Sequence, residues 1–251
     1  MQILMMHRTQ KKWEDGELPP PRMAEQMGRL IGQMIDADIF VNADGLRPSS
    51  FGVRLNFEGG TRTITRGPLT PGNELPAGFA ILRVGSEKEA IEWATRFAQL
   101  VGDVEIDIRP VQERWDMGMG ARPEGLTTTR YMMMHKADAT SEAGGPPPPG
   151  MLEKMQDLIA QMTRAGVFLS GVGLAPSAQA KRLRYAEGKR TVLDGPFTES
   201  KELIAGFCLL EVASLDAAMP WADRFAAIVG DVELDLRPLH GAPETAPPNE
   251  R

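Results

Sequence analysis

The chain has 251 residues, of which 42% are hydrophobic and 25% are charged, a composition typical of globular proteins with a packed core. Its formal net charge of −6 provides no basic surface for phosphate backbones, which argues against nucleic acid as a partner. No apolar run approaches the length of a transmembrane helix, so no membrane partner is expected.

Apolar runs and helical periodicity define the first predicted elements. Residues 2–7 (QILMMH) form a run of strand length, and a loop rich in proline and glycine follows over 16–21. Apolar residues then recur at helical spacing over residues 23–37, which predicts an amphipathic helix. Residues 52–66 alternate around a Gly-Gly pair, which predicts two strands joined as a hairpin.

Three more elements complete the pattern. Residues 77–84 (AGFAILRV) predict a central strand. Ser86 followed by Glu89 is typical of a capping box, here at the start of a second helix over 87–100. Residues 103–110 (DVEIDIRP) alternate strictly and predict a last strand with one apolar face. The order β-α-β-β-β-α-β is a ferredoxin-like pattern with one added strand.

The second half of the chain repeats the first without a gap. Residue n recurs as residue n + 128, for example His7 as His135 and Arg109 as Arg237, and roughly half of the aligned positions are identical. The repeat predicts one module over 1–112, a glycine-rich linker over 113–128 and a second module over 129–240. Residues 241–251, with three prolines and no apolar pattern, are predicted to be disordered.

A ferredoxin-like sheet carries helices on one side only, and the second module offers a sheet to cover its other face. The predicted fold is therefore α+β: two tandem ferredoxin-like modules packed sheet to sheet as an intramolecular pseudo-dimeric α/β barrel. Cys208, the only cysteine, lies in the apolar run GFCLLEV and is expected to be a buried strand residue. The lone thiol, and a first segment without the charge order of a signal peptide, favour a cytoplasmic location.

Residues 190–203 (RTVLDGPFTESKEL) strongly resemble the DGPF signature of the YCII-related family. The resemblance covers nearly all of residues 130–239 and reaches the first half through the repeat. It implies a dimeric α/β barrel, usually built from two separate chains. It also implies a relation to suspected enzymes of small organic acids or lactone-like compounds. In part of that family a histidine and an aspartate near the sheet are the proposed acid/base pair.

The first half departs from this signature. Arg66, Gly67, Pro68 and Leu69 stand where the second half has Asp, Gly, Pro and Phe. The turn residues are retained and the acid is lost. If Asp194 is catalytic, the first half is therefore a degenerate site, and at most one site per chain works.

Three residues are candidates for acid/base chemistry. His7 and His135 end their strands at equivalent positions, and a neutral imidazole there could act as a general base or be only a polar edge residue. Asp194 could share a proton with His135, which requires the two groups to lie within about 3 Å. It could equally hydrogen-bond the backbone of its own turn.

The candidate substrate-binding residues are Arg182, Arg190, Arg237 and Glu202, each of which has an equivalent in the first half. An arginine inside the barrel could hold a carboxylate by a bidentate pair, or it could pair with neighbouring acids. Neither CxxC nor HExxH occurs, and there is no glycine-rich phosphate loop and no GxSxG. We therefore expect no metal and no cofactor.

The first functional hypothesis is a cofactor-independent enzyme, lyase-like or isomerase-like, that transfers a proton on a small polar organic molecule. His135 would be the base or acid, Asp194 its partner, and an arginine the anchor for an anion. The alternative is a non-catalytic module of the YCII-related family that binds a small molecule or has a regulatory role. A third hypothesis is a structural protein that docks on others, and further self-association is compatible with all three.

Overall fold

A computed structural model describes residues 1–197, 202–241 and 244–245. The helices are α1 (Lys11–Glu14), α2 (Pro21–Asp36), α3 (Glu87–Val101), α4 (Ala139–Glu142), α5 (Met151–Arg164) and α6 (Leu215–Val229). The strands are β1 (Gln2–Arg8), β2 (Phe40–Gly45), β3 (Val53–Glu58), β4 (Thr61–Arg66), β5 (Pro76–Val84), β6 (Val104–Pro110), β7 (Thr129–Lys136), β8 (Phe168–Gly173), β9 (Lys181–Ala186), β10 (Lys189–Asp194), β11 (Ile204–Glu211), β12 (Val232–Pro238) and β13 (Glu244–Thr245). Short 3₁₀ turns occur at Ser49–Phe51, Arg114–Met117 and Ser177–Gln179.

The elements predicted from periodicity are present in both halves. The predicted order β-α-β-β-β-α-β is wrong by one strand, because each half has four strands rather than three between its two long helices, the additional ones being β2 and β8. Helix α2 begins two residues before the predicted start, at Pro21, because proline fits the first turn of a helix. Strands β3 and β4 form the predicted hairpin, with Gly59 and Gly60 at positive φ in its turn. Helix α3 follows Ser86, whose hydroxyl accepts a hydrogen bond from the amide of Glu89 at 3.2 Å.

Both sheets are antiparallel, and each combines strands of both halves. The first sheet has the order β10-β9-β12-β1-β11-β2, and the second has the order β13-β8-β5-β7-β6-β3-β4. Strand β1 lies between β11 and β12, so the first strand of the chain pairs on both sides with the second half. Strand β7 lies in the same way between β5 and β6 of the first half.

This exchange of strands differs from the expectation that residues 1–112 and 129–240 each form a sheet of their own. Strands β1 and β2 belong to the first sheet, whereas β3 to β6 belong to the second. The chain crosses between the sheets at 46–52 and again at 174–180. Alternation of apolar residues defines a strand and its buried face but not which half of a repeat supplies its neighbours. The exchange of strands between the halves therefore could not be predicted from the sequence pattern.

The two sheets pack face to face with helices on their outer sides, which confirms the α+β class. Helices α2 and α6 cover the first sheet, and α3 and α5 cover the second. Between the sheets the rings of Phe79 and Phe207 meet with their centroids 4.7 Å apart. Neither sheet closes on itself. The layer between them consists of alternate residues from the central strands: Leu4, Met6, Phe79, Ile81, Met132, Met134, Phe207 and Leu209.

Each exchanged strand ends in a buried cation that pairs with the other half. Arg8 of β1 bonds the carboxylate of Asp235 in β12 at 2.5 Å. Asp235 also accepts hydrogen bonds from Arg182 at 2.6 and 2.9 Å. Burial opposes the ionisation of Asp235, but Arg8 and Arg182 outweigh it and hold the pKa of this carboxyl below its ordinary value. In β7 the equivalent of Arg8 is Lys136, which pairs with Asp107 at 2.9 Å.

The linker and the tail differ from their predictions in detail. The linker joins the neighbouring strands β6 and β7 and contains the turn Arg114–Met117, which ends at Gly118 in the left-handed region. Of the tail predicted to be disordered, residues 242–243 and 246–251 lie outside the described residues, while Glu244–Thr245 pair with β8. Within the described ranges, none of the helices combines the length and apolar character needed to cross a bilayer.

The substitution Asp235→Asn tests the buried pair at the end of β1. It should lower the free energy of unfolding by about 3–5 kcal/mol, because Arg8 and Arg182 would lose their shared buried counter-ion and keep the more distant and more exposed Glu233 as a common acidic neighbour. Urea unfolding measures the change. Asp223→Asn is the control, since Asp223 bonds Arg190 at the surface at 2.8 Å, and it should leave stability nearly unchanged. Equal effects of the two substitutions would contradict the role of Asp235.

Candidate functional site

A cavity of about 730 Å³ lies between α2 and the first sheet. The strands beneath it carry small residues (Ala43, Gly45 and Ala205), which leave space under the helix. Gln112 and four residues of the linker (Glu113, Arg114, Asp116 and Met117) form part of its rim. Most of its inner wall is apolar and is contributed by α2, β1, β11 and α6: Met5, Met27, Leu30, Met34, Phe207 and Phe225.

His7 lies in the floor of this cavity. It follows Ile3 and Met5 on the face of β1 that points toward the helices, and its ring centroid is 5.0 Å from that of Phe225 in α6. The residue opposite His7 in β11 is Gly206, where an added Cβ would lie 2.8 Å from Nε2 of the imidazole. Gly206 is therefore needed to make room for the ring.

His135 has the same surroundings in the second sheet. Its ring centroid lies 4.9 Å from that of Phe97 in α3, and a Cβ on Gly78 would lie 2.9 Å from its Cε1. The need for a glycine opposite each histidine leaves a trace in the sequence, where Ala-Gly-Phe recurs at 77–79 and 205–207. Strand exchange explains the recurrence, since each glycine faces the histidine of the other half.

Both histidines are neutral at neutral pH. Burial lowers the pKa of His7 to about 4; a backbone hydrogen bond of Arg8 opposes this shift and the Arg8 charge adds to it. Burial also lowers the pKa of His135 to about 4, against the attraction of Asp138. A neutral imidazole offers one hydrogen-bond donor and one acceptor.

A charged bridge closes one side of the cavity. Arg130 of β7 bonds Asp44 of β2 at 2.9 Å and Glu113 of the linker at 2.7 Å. Burial raises the pKa of Asp44, and the Arg130 charge opposes this rise. The bridge joins both sheets and the linker at the cavity rim. Elsewhere in the described ranges, as here, His, Cys, Asp and Glu form no cluster of three or more suited to a metal ion.

The structure does not bring His135 and Asp194 together. His135 lies beneath α3 in the second sheet, whereas Asp194 ends β10 at the edge of the first sheet. The Asp194 side chain is 78% exposed and pairs with Lys181 at 2.8 Å. Of the three candidate acid/base residues, only His7 lines the cavity.

The described part of the DGPF signature holds a crossing segment in place. The amide of Gly195 donates to the carbonyl of Ala180 at 3.0 Å, and a Cβ at position 195 would lie 1.7 Å from the carbonyl oxygen of Ser177. The amide of Phe197 donates to the Ser177 hydroxyl at 3.0 Å, and its ring is buried beneath Arg182. Residues 198–201 of the signature lie outside the described residues.

The first half retains Gly-Pro for the same reason. A Cβ on Gly67 would lie 1.9 Å from the carbonyl oxygen of Ser49, and the Ser49 hydroxyl accepts the amide of Leu69 at 3.1 Å. Arg66, the equivalent of Asp194, pairs with Glu87 at the surface. The residues common to both halves are thus those that fix the crossing segment.

The predicted substrate-binding residues lie outside the described cavity lining. Arg237 is fully buried and donates to the carbonyl of Pro76 at 2.5 Å and to Glu142 at 3.2 Å. Arg182 bonds Asp235, and Arg190 bonds Asp223 at the surface. The side chain of Glu202 is exposed, while its carbonyl accepts a hydrogen bond from Arg8 at 3.4 Å. The contacts of Arg237 are those of a structural residue.

Sequence comparisons identify a known domain in the second half of the chain. Residues 129–232 match the YCII-related domain. An uncharacterized protein of Rhizobium meliloti (strain 1021) is 38% identical over 89 residues, which are 34% of this chain and 72% of the relative. The chain belongs to the YCII-related family. The family match covers one domain only, in the second half. No solved structure gives a significant match.

The two partly buried histidines should make the protein sensitive to acid. The pKa of each is about 4 in the folded chain and 6.5 as a reference value, so on acidification the unfolded chain takes up protons first. Stability should be complete above about pH 6.5 and fall toward about pH 4, by up to about 3 kcal/mol per histidine.

Urea unfolding of wild type, His7→Gln and His135→Gln across this range measures the effect. Each variant should lose stability less steeply than wild type, because glutamine does not titrate. Identical slopes for all three proteins would contradict the burial of neutral imidazoles.

Gly195→Ala tests whether the DGPF signature serves to hold the crossing segment in place. The added methyl group would overlap the backbone of Ser177, so the free energy of unfolding should fall by more than about 3 kcal/mol. Asp194→Ala removes only an exposed ion pair and should change the stability of the dilute protein little. Thermal unfolding of both variants measures the two effects. A larger loss of stability in Asp194→Ala than in Gly195→Ala would exclude a structural role for Gly195.

Proposed function

We propose that this protein binds a small, mainly apolar molecule in the cavity between α2 and the first sheet, with a polar group of the ligand hydrogen-bonded to His7. The observation that carries the proposal is a neutral imidazole in the floor of an otherwise apolar cavity of about 730 Å³. Cavities of about 300–1,000 Å³ with an apolar wall and few polar groups are typical of ligand sites.

The lining supports an apolar ligand of adaptable shape. Met5, Met27 and Met34 contribute unbranched thioether side chains that repack around different partners. Two of the arginines at the cavity already have strong acidic partners, Arg8 with Asp235 and Arg130 with Asp44. Among the described residues His7 has no acidic partner. The backbone of Arg8 hydrogen-bonds the imidazole, and we assign the other ring nitrogen to the polar group of the ligand.

Differences between the halves support the first half as the binding half. Around the cavity, Trp13, Asp44, Arg47 and Phe51 have smaller or uncharged equivalents in the second half. These equivalents are Ser141, Val172, Ala175 and Gln179. The DGPF signature, by contrast, belongs to the second half and fixes a crossing segment. We therefore assign ligand binding to His7 rather than to His135 and Asp194.

We further propose that the chain arose by tandem duplication and that its facing sheets are the intramolecular form of a dimeric barrel. The constant offset of 128 residues and the equal order of elements in the two halves support this origin. The buried lone thiol of Cys208 supports a reducing, cytoplasmic location.

Catalysis is the second candidate, as proton transfer on the bound molecule without a cofactor. It is favoured by one observation, the position of the neutral His7 imidazole in the floor of the cavity, although the lowered pKa makes this imidazole a weak base at neutral pH. His7→Gln separates the two functions, because glutamine hydrogen-bonds but does not exchange protons. Binding without turnover in this variant, with turnover in wild type, would establish catalysis.

Met27→Trp tests the cavity directly. The larger ring should fill the space beneath α2 and weaken binding of the fluorescent probe anilinonaphthalenesulfonate by about tenfold or more. The matched control is Met155→Trp at the equivalent position of α5, which packs on the second sheet and should leave binding unchanged. Fluorescence titration of both folded variants measures the affinity. Equal binding by wild type and Met27→Trp would refute the site.

A further inference from the structure

Strand β10 is a free edge of the first sheet. Among the described residues it pairs with β9 alone, and all six of its residues are exposed. Val192 is 41% exposed and Leu193 is 57% exposed, on opposite faces of the strand. Exposed edges with apolar side chains are templates for pairing with another strand.

The backbone of β10 presents its free hydrogen-bonding groups at alternate residues. The hairpin turn is Glu187-Gly188, with φ of 52° and 72°, which is the type I′ turn of a two-residue hairpin. Ala186 and Lys189 flank this turn and form its hydrogen-bonded closing pair, so every second residue of β10 points its amide and carbonyl away from β9.

The outward-pointing residues are Arg190, Val192 and Asp194. The alternation agrees with the amide of Gly195, which points inward to the carbonyl of Ala180 at 3.0 Å. The outward residues carry opposite charges at their two ends and an apolar side chain between them.

We propose that two copies of this chain associate through their β10 edges, as an antiparallel pair about a twofold axis at Val192. In this register Arg190 of each copy lies opposite Asp194 of the other, and the two Val192 side chains meet on the axis. Directly opposite residues of an antiparallel pair lie on the same face of the sheet, and opposite charges there stabilise the pairing. The result is a continuous sheet of twelve strands, twice the six of the first sheet.

The equivalent edge in the second sheet is unsuited to the same pairing. Strand β4 is also exposed along its length, and its outward residues are Arg62, Ile64 and Arg66. Self-pairing would place Arg62 of each copy opposite Arg66 of the other, and like charges directly opposite are destabilising. The change from Arg66 to Asp194 between the halves therefore turns a repelling edge into a self-complementary one.

A mixed pair of β4 with β10 is less favourable than the β10 pair. It would set Arg62 against Asp194 but also Arg66 against Arg190. Such a head-to-tail contact also leaves a β10 edge on one copy and a β4 edge on the other, which can bind further copies in the same way, whereas the twofold contact uses both β10 edges and closes. The proposed contact involves about six backbone hydrogen bonds and a small area, so a weak, concentration-dependent dimer is expected.

Sedimentation velocity of the full chain over a range of concentrations tests the proposal. Wild type should show a reversible monomer–dimer equilibrium. Val192→Pro removes an outward amide without breaking the pairing of β9 with β10, and it should weaken the dimer by about tenfold or more. Ile64→Pro is the matched control in β4 and should leave the equilibrium unchanged. Circular dichroism confirms that both variants are folded.

Charge reversal provides the second arm. Asp194→Arg should weaken the dimer by about tenfold or more, because it recreates the arginine pattern of β4, and the double variant Arg190→Asp with Asp194→Arg should restore it. A wild-type chain that stays monomeric at millimolar concentration would overturn the proposal. A dimer unaffected by Val192→Pro or Asp194→Arg would do the same, since the contact would then lie elsewhere.

Discussion

The insertion of β1 and β7 into the sheet of the opposite half is the constraint on which the rest of the structure depends. Each of these strands has neighbours on both sides and apolar residues on both faces, one face toward a helix layer and one toward the other sheet. Each ends in a cation that is buried and paired with an aspartate. Removing either strand would split a sheet, uncover both of its faces and leave a charge unpaired. The two halves therefore form one cooperative unit, although a repeat links their sequences.

Most charged residues shared by the halves serve this architecture. Arg109 donates to the carbonyl of Arg47 and Arg237 to that of Ala175, both in the crossing segments. Each guanidinium also pairs with a glutamate, Arg109 with Glu14 and Arg237 with Glu142. The Gly-Pro turns fix the same segments from the other side. In this protein, the residues that are identical in the two halves are mainly those that hold the exchanged strands in place. The cavity at His7 is instead surrounded by residues in which the halves differ.

Much of the fold was predictable from the sequence, and the candidate site was predictable only in part. Alternation in β6 and β12 and helical spacing in α2 and α5 depend on neighbours close in sequence, so they were visible. Strand exchange depends on contacts such as Arg8 with Asp235, more than two hundred residues apart, which no local pattern encodes. His7 was identified as a candidate, but its cavity follows from small residues on separate strands. Asp194 was a candidate only through the resemblance to the DGPF signature, whereas its side chain lies exposed at a strand end.

The central position of β1 has a consequence for how the protein is made. Strand β1 is synthesised before both of its neighbours, which comprise residues 204–211 and 232–238. The first sheet cannot be completed until these residues have been synthesised, and until then both edges of the apolar strand β1 lack their native partners. Folding of such a distant pairing is slow, and the waiting segment is open to aggregation. The β1 segment is thus accessible to chaperones until residues 204–238 have been synthesised.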